Sequence, residues 1–402
     1  MKTPAPHAAA LTVLIAPSGF KESLSAEEAA DRIAEGVTDT MPGARVIKLP
    51  MADGGEGFTQ ALVNATGGRV CPVAVTGPVG QPVQAFFGLL GGRSPRTAVV
   101  EMAAAAGLRL VPRDQRNPMR TTSYGVGQLI RAALDAGAQR VLLGCGDSGI
   151  NDGGAGMVQA LGAKLLDAQG QELGAGGGEL LRLHRIDLSG LDPRLARVQL
   201  DAAVNWHNVL LGPRGVARVF GPQKGATPEQ VVLLEQALEN WAACLQRTTG
   251  SAWGTQPGSG ASGGLGSGFA ALLGGQLHPR FDIVMQYLEL DRLIAQADLV
   301  ITAEGSLDDQ TPFGKVPAEV ASRAKKRGLP VIALTGTLGH GAEINLKHGI
   351  DAFASMLSRP CTLDQAIADA GKLLRRSAAD MLRMVSVGMK LGRAPRRLAL
   401  AR

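Results

Sequence analysis

The phrase Asp-Gly-Gly-x-Gly occurs twice in this chain, as Asp53-Gly54-Gly55-Glu56-Gly57 and as Asp152-Gly153-Gly154-Ala155-Gly156. Each copy lies between a short apolar run and a helix-like stretch. Glycines let a backbone approach a polyanion closely, the free N–H groups of a following helix favour negative charge, and an aspartate can hold a divalent cation or orient a hydroxyl. The pair points to phosphoryl transfer at a metal-phosphate site. One copy alone would read as a glycine-rich turn.

Other residues of the same chemistry lie near apolar runs. Ala16-Pro17-Ser18-Gly19-Phe20-Lys21-Glu22-Ser23 follows the first of them, and in an open parallel sheet ligands bind outside the carboxyl ends of strands. Lys21 is placed there to meet an anion as a point charge, and a second strand ending at the same edge brings Asp53 and Glu56 towards it. Asn205-Trp206-His207-Asn208 and Phe220-Gly221-Pro222-Gln223-Lys224-Gly225 put polar groups and one lysine into glycine-bounded loops. A last cluster, Glu304-Gly305-Ser306-Leu307-Asp308-Asp309-Gln310 with Lys315, follows another apolar run. No Gly-x-x-x-x-Gly-Lys-Ser/Thr loop occurs, so the chain is not a Walker-type ATPase. Gly144-Cys145-Gly146-Asp147-Ser148-Gly149 matches the dinucleotide fingerprint and makes a nicotinamide enzyme the rival reading, although Asn151-Asp152-Gly153-Gly154 would break the helix that fingerprint needs.

Alternating elements position these loops. Val13–Ala16, Ala26–Thr38, Arg45–Leu49 and Gly57–Ala65 read as strand, helix, strand and helix, the pattern of a parallel sheet. Ser25 and Glu28 predict a capping box at the first helix. Gly67–Leu110 reads as antiparallel strands and hairpins, and Tyr124–Ala136 and Pro228–Leu245 as helices. Gly250–Gly268 reads by composition as a linker. Strand and helix alternate again at Leu299–Thr302, Pro317–Arg327, Val331–Leu334, Glu343–His348, Ala352–Ala354 and Leu363–Met389. The fold class expected is α/β with two α/β domains: a Rossmann-like parallel-sheet domain built from both termini, residues 1–66 and 290–402, and an inserted mixed α/β domain, residues 67–289.

The 402 residues are 45% hydrophobic and only 3% aromatic, enough for two or three folded domains with aliphatic cores. Four scattered cysteines suggest neither disulfide nor zinc framework and fit a cytoplasmic location. Leu11–Ala16 is too short to span a membrane. Of the net charge of +6, five charges come from Lys390, Arg393, Arg396, Arg397 and Arg402 at one end, which reads as a solvated tail. With two tyrosines and three tryptophans there is little for nucleic acid to stack on.

Taken together, the ordered phrases resemble the bacterial type I glycerate kinases over nearly the full length. They are Ala16-Pro17, Phe20-Lys21 and Ser23-Leu24-Ser25; Met51 to Gly57; Glu101 to Ala105; Ser148 with Asn151 to Met157; Asp187 to Arg194; Gly221 to Ala226; Gly263 to Gly266; and Glu304-Gly305 with Asp308 and Gln310-Thr311. The resemblance implies phosphorylation of D-glycerate with ATP and Mg²⁺, most often on the 2-hydroxyl, in a cleft between two domains. The glycines near 261–266 then read as an active-site loop. It carries catalytic roles onto Lys21, Asp53, Asp152, Lys224 and Asp308. Binding roles fall on Ser18, Ser23, Gly54, Gly55, Glu56, Ser148, Asn151, Gly153, Asn205, Asn208, Gly263, Gly264, Glu304 and Lys315. Asp53 and Asp152 are both candidates for the metal and for the hydroxyl proton. The partners expected are glycerate and ATP, with no nucleic acid or membrane, and a homodimer is the candidate assembly. The chain departs from the family pattern at Ser18-Gly19 (usually Asp-Ser), Asp147 (Gly), Gly149-Ile150 (Ala-Thr), Asn205 (Asp) and Ser306 (Arg), which leaves another hydroxy acid open as substrate.

Overall fold

The computed structural model describes residues 11–20, 23–51, 54–92 and 95–393. Contacts divide the chain into two compact units, Met1–Met51 with Glu289–Arg402, and Ala52–Leu288. The boundary falls before helix Phe58–Thr66 and not at residue 66, because that helix packs on the strands Arg69–Thr76, Pro82–Leu89 and Thr97–Glu101 of the second unit, burying Phe58 and Leu62 completely.

In the first unit the described strands form one all-parallel sheet, in the order Ala352–Ser355, Val331–Leu338, Leu299–Leu307, Thr12–Ile15, Arg45–Lys48. Buried on both faces, its central strands are nearly continuous aliphatic runs. Helix Ala26–Thr40 begins as the sequence predicts: the Ser25 hydroxyl accepts from the Glu28 N–H while the Glu28 carboxylate accepts from the Ser25 N–H. Its buried face, Ala29, Ala30, Ile33 and Val37, packs against the sheet and the long helix Leu363–Arg393. The tail, residues 394–402, lies outside the described residues.

The second unit is mixed. Its six-stranded sheet runs Gln276–Pro279, Gln199–Val204, Arg140–Gly144, Thr97–Glu101, Pro82–Leu89, Arg69–Thr76, the first four parallel and the last two antiparallel. The expected hairpin region is therefore antiparallel only as far as Thr97–Glu101, which turns to pair in parallel with the next strand. Register aligns Glu101 with Gly144 and Gly144 with Ala203, so three strands deliver their following loops to one edge. Both sheets and their covering helices agree with the α/β expectation.

Candidate active site

The second Asp-Gly-Gly phrase follows strand Arg140–Gly144 and opens helix Ala155–Ala160. Asp152 is fully buried and its carboxylate is crowded with donors. The Ser123 N–H and hydroxyl each reach Oδ2 at 2.8 Å, the Gly156 N–H reaches Oδ2 at 3.2 Å, and the Gly154 N–H reaches Oδ1 at 3.1 Å. Burial pushes its pKa up, against those four hydrogen bonds. A carboxylate offers about four lone-pair directions. Three of the four bonds fall on Oδ2 and one on Oδ1, so Asp152 anchors its own loop and the helix start while Oδ1 keeps one acceptor direction. Ser123 completes the anchor by accepting from the Met157 N–H at 2.9 Å.

Lys224 lies beside this anchor at 2% exposure. Its ammonium donates to the Ser148 hydroxyl at 2.9 Å and to the Ile150 carbonyl at 2.6 Å. Burial lowers its pKa to about 7, and the charge of Asp152 pulls the other way. Asn151, next in the chain after the Ile150 carbonyl, is completely buried, with neither its Oδ1 nor its Nδ2 hydrogen-bonded. A buried amide lacking both protein partners is uncommon. The Gly263 carbonyl accepts from the Gly153 N–H at 3.0 Å, so the late glycine loop and the second phrase are stitched together.

The first phrase is built differently. Gly54 sits against the Ala203 carbonyl and Cys145 N–H, and Gly146 is so close to Gly55 that an added methyl would lie 2.5 Å from the Gly55 Cα. The Glu56 N–H donates to the Asp147 carboxylate at 3.1 Å, and the Glu56 carboxylate pairs with Arg109 at 3.2 Å. Asp147 holds a left-handed backbone, φ 49°, a conformation aspartate tolerates better than most residues where glycine is usual. The departure from the family pattern at 147 thus adds a brace to the first loop. Lys21 and Asp53, both candidate catalytic residues, lie outside the described residues.

The dinucleotide reading of Gly144–Gly149 fails on this geometry. The segment continues as a loop to Gly154, the helix starts only at Ala155, and Gly146 and Gly149 pack against protein backbone. The linker reading of Gly250–Gly268 fails too. Residues 258–268 are buried, and Leu265–Leu273 is a helix. Composition misleads here because these glycines serve close backbone packing: the Gly258 N–H donates to the Trp206 carbonyl at 3.1 Å and the Gly260 N–H to the Asn208 carbonyl at 3.2 Å. Asn205 spends its side chain on the His207 N–H at 3.1 Å. Gly264 stands at the start of the Leu265–Leu273 helix.

In the first unit, Ser18 donates to the Ala303 carbonyl at 3.1 Å and Ser23 to the Ile367 carbonyl at 3.5 Å. Past the end of strand Leu299–Leu307, Lys315 binds Asp308 at 2.8 Å and the Ser306 carbonyl at 3.3 Å, and the Thr311 hydroxyl donates to Glu304 at 2.9 Å. Burial alone would raise the Asp308 pKa, but Lys315, the Gln310 N–H and Thr311 together hold it below the usual carboxylate range. Sequence reasoning did not single out Ser123 or Asn345, whose amide donates to the Asp308 carbonyl at 2.9 Å, and it met Thr311 only as part of a phrase. The only trace of Ser123 was a run of hydroxyls, Thr121-Thr122-Ser123, before a helix. Among the described residues no helix is long and apolar enough to cross a membrane.

Comparison with known proteins accords with this geometry. The sequence model of the Glycerate kinase family matches residues 13–386. The chain is 48% identical to the glycerate kinase of Bacillus subtilis (strain 168), over 92% of this chain and 97% of that one. It is 44% identical to the glycerate 2-kinase of Escherichia coli (strain K12), over 94% and 99%. A crystal structure described as glycerate kinase 2 from Salmonella typhimurium LT2 superposes with a TM-score of 0.76 at 46% identity, covering 95% of this chain and all of that one. Phrase order, loop placement and these similarities lead to one conclusion: the chain belongs to the glycerate kinase family.

Proposed function

We propose that this enzyme transfers the terminal phosphoryl group of ATP to the 2-hydroxyl of D-glycerate, giving 2-phosphoglycerate, with Mg²⁺ as the accompanying cation. The observation that carries the reading is the buried Lys224 ammonium, held by Ser148 and the Ile150 carbonyl in the loop that leads through the buried Asn151 into the second Asp-Gly-Gly phrase. An amide offers one acceptor and two donors, which suits a substrate presenting a hydroxyl beside a carboxylate or phosphoryl oxygen. Lys224 has spent two of its three protons, on Ser148 and Ile150. In so dry a place an arriving anion restores its full charge, and that charge then neutralises the phosphoryl group in transfer.

Phosphoryl transfer leaves little covalent work for the protein, so positioning and electrostatics supply most of the rate. Mg²⁺ usually keeps water and phosphate oxygens and takes one or two carboxylates. Asp152 is already committed to four donors, with one acceptor direction left on Oδ1, so we assign the cation to Asp53, and Mg²⁺ when bound would neutralise charge on the phosphates. Within the first unit, we assign the Glu304, Asp308 and Lys315 cluster to ligand binding. A cytoplasmic location accords with the four free cysteines.

The test is ADP release from Mg-ATP with D-glycerate, coupled in parallel to enolase so that only the 2-phosphate is read. Turnover in both assays is the expected result. ADP release without an enolase signal would reassign the product to the 3-phosphate, and silence in both would reject glycerate in favour of another hydroxy acid.

A further inference from the structure

Glu101 ends strand Thr97–Glu101 and is 1% exposed. Its Oε2 accepts from the Thr59 N–H at 3.1 Å, and the Gly57 N–H also donates to the carboxylate. Those two N–H groups open helix Phe58–Thr66, whose cap residue Gly57 has no side chain to satisfy them. In the second phrase the same task is done from inside: Asp152 accepts from Gly154 and Gly156 at the start of Ala155–Ala160. Gly57 and Gly154 are each the left-handed cap before a helix, although Gly57 is the fifth residue of its phrase and Gly154 the third. Each helix start thus has a buried carboxylate on its cap and second N–H groups, supplied by strand Thr97–Glu101 in one case and by the phrase itself in the other. The charged groups facing Glu101 are Glu56 and Arg109, themselves paired across the first loop.

We propose that Glu101 is the positioning residue of the helix start that closes the first Asp-Gly-Gly loop, holding from a neighbouring strand the cap and second N–H groups that Asp152 holds from within at the second. This rests on the proposed phosphoryl transfer for its catalytic consequence, while the anchoring itself rests on geometry alone. Loss of such a supporting group costs about 10- to 100-fold in activity.

The test uses the full-length chain with Glu101→Gln, which keeps the side-chain volume, and Asp152→Asn. Hydrogen exchange, kcat, and KM for ATP and glycerate are measured for both. Glu101→Gln should accelerate exchange of the amides at 57–60 by about tenfold or more while leaving 154–160 at wild-type rates, and Asp152→Asn should do the reverse. In Glu101→Gln, kcat should fall about 10- to 100-fold with each KM within about threefold of wild type. Unchanged exchange at 57–60 would overturn the proposal, as would faster exchange with kcat intact, or a loss spread evenly over both segments. If the wild-type chain fails to turn over glycerate, the functional reading falls and the exchange arms still decide the anchoring.

Discussion

The two Asp-Gly-Gly regions have the same wording and each ends on a left-handed glycine cap, Gly57 at φ 85° and Gly154 at φ 84°, yet the cap is the fifth residue of the first phrase and the third of the second, and the two are held in different ways. The second loop is closed on itself: Asp152 is buried under four donors, Gly153 is pressed against the Trp241 ring, and Gly154 against Leu265. The first loop borrows its support from Glu101, Asp147 and Arg109. A motif repeated in a chain thus need not repeat its role. What decides the role is whether the aspartate's lone pairs are already committed within the fold.

The sharpest way to break the comparison is to remove each aspartate. Asp53→Asn should lower kcat by about 10³-fold with an unchanged thermal midpoint, read from steady-state kinetics beside a melting curve; comparable rates would remove Asp53 from the reaction. Asp152→Ala should instead strip one partner from four buried donors and cost about 4 kcal/mol in stability, seen as a lower urea midpoint. If it lost only activity, the anchoring role would be wrong.

A third measurement sharpens the role of Glu101. Its folded pKa is about 7 against an ordinary 4.5, with burial as the leading cause. A raised folded pKa means that the folded chain binds the proton more tightly, so this contribution is complete below pH 4.5 and is lost as pH rises through 7. Relative to Glu101→Gln, the wild-type unfolding free energy should fall by about 3 kcal/mol across that window, measured by urea titration at stepped pH; a flat difference would place the carboxyl in water. The smallest effect is a glycine contrast. A methyl added at Gly57 meets nothing within 4 Å, whereas one at Gly154 would lie 3.2 Å from the Leu265 backbone. Gly57→Ala should cost about 1 kcal/mol from left-handed strain alone, and Gly154→Ala about 1 kcal/mol more from crowding. Equal costs would show that the second loop relaxes as freely as the first.

Features set by near neighbours in the chain were legible from the start. The Ser25 and Glu28 capping box, the strand and helix alternation of the first unit, and the helix read at Pro228–Leu245, which runs on to Thr249, all follow from contacts three or four residues long. The placement of loops after strands was legible too, because parallel connection sends successive strands the same way. The stretch at 258–268 was not, since glycine count records freedom of the unfolded chain and not which backbone will press against it. Helix Phe58–Thr66 was read correctly in itself and assigned to the wrong unit, because its partners are strands that follow it.

The sequence by itself determined the elements, the order of the glycine-rich loops and the residue types available for phosphoryl transfer, all local properties of composition and spacing. Only the tertiary structure decided which carboxylates are spent. Asp152 meets Ser123 from 29 positions earlier, Glu101 meets Thr59 across 42, and Lys224 meets Ser148 across 76. Hydrogen bonds of that range exist only after the sheet has aligned its strands, and until then every aspartate in the chain carries the same free lone pairs.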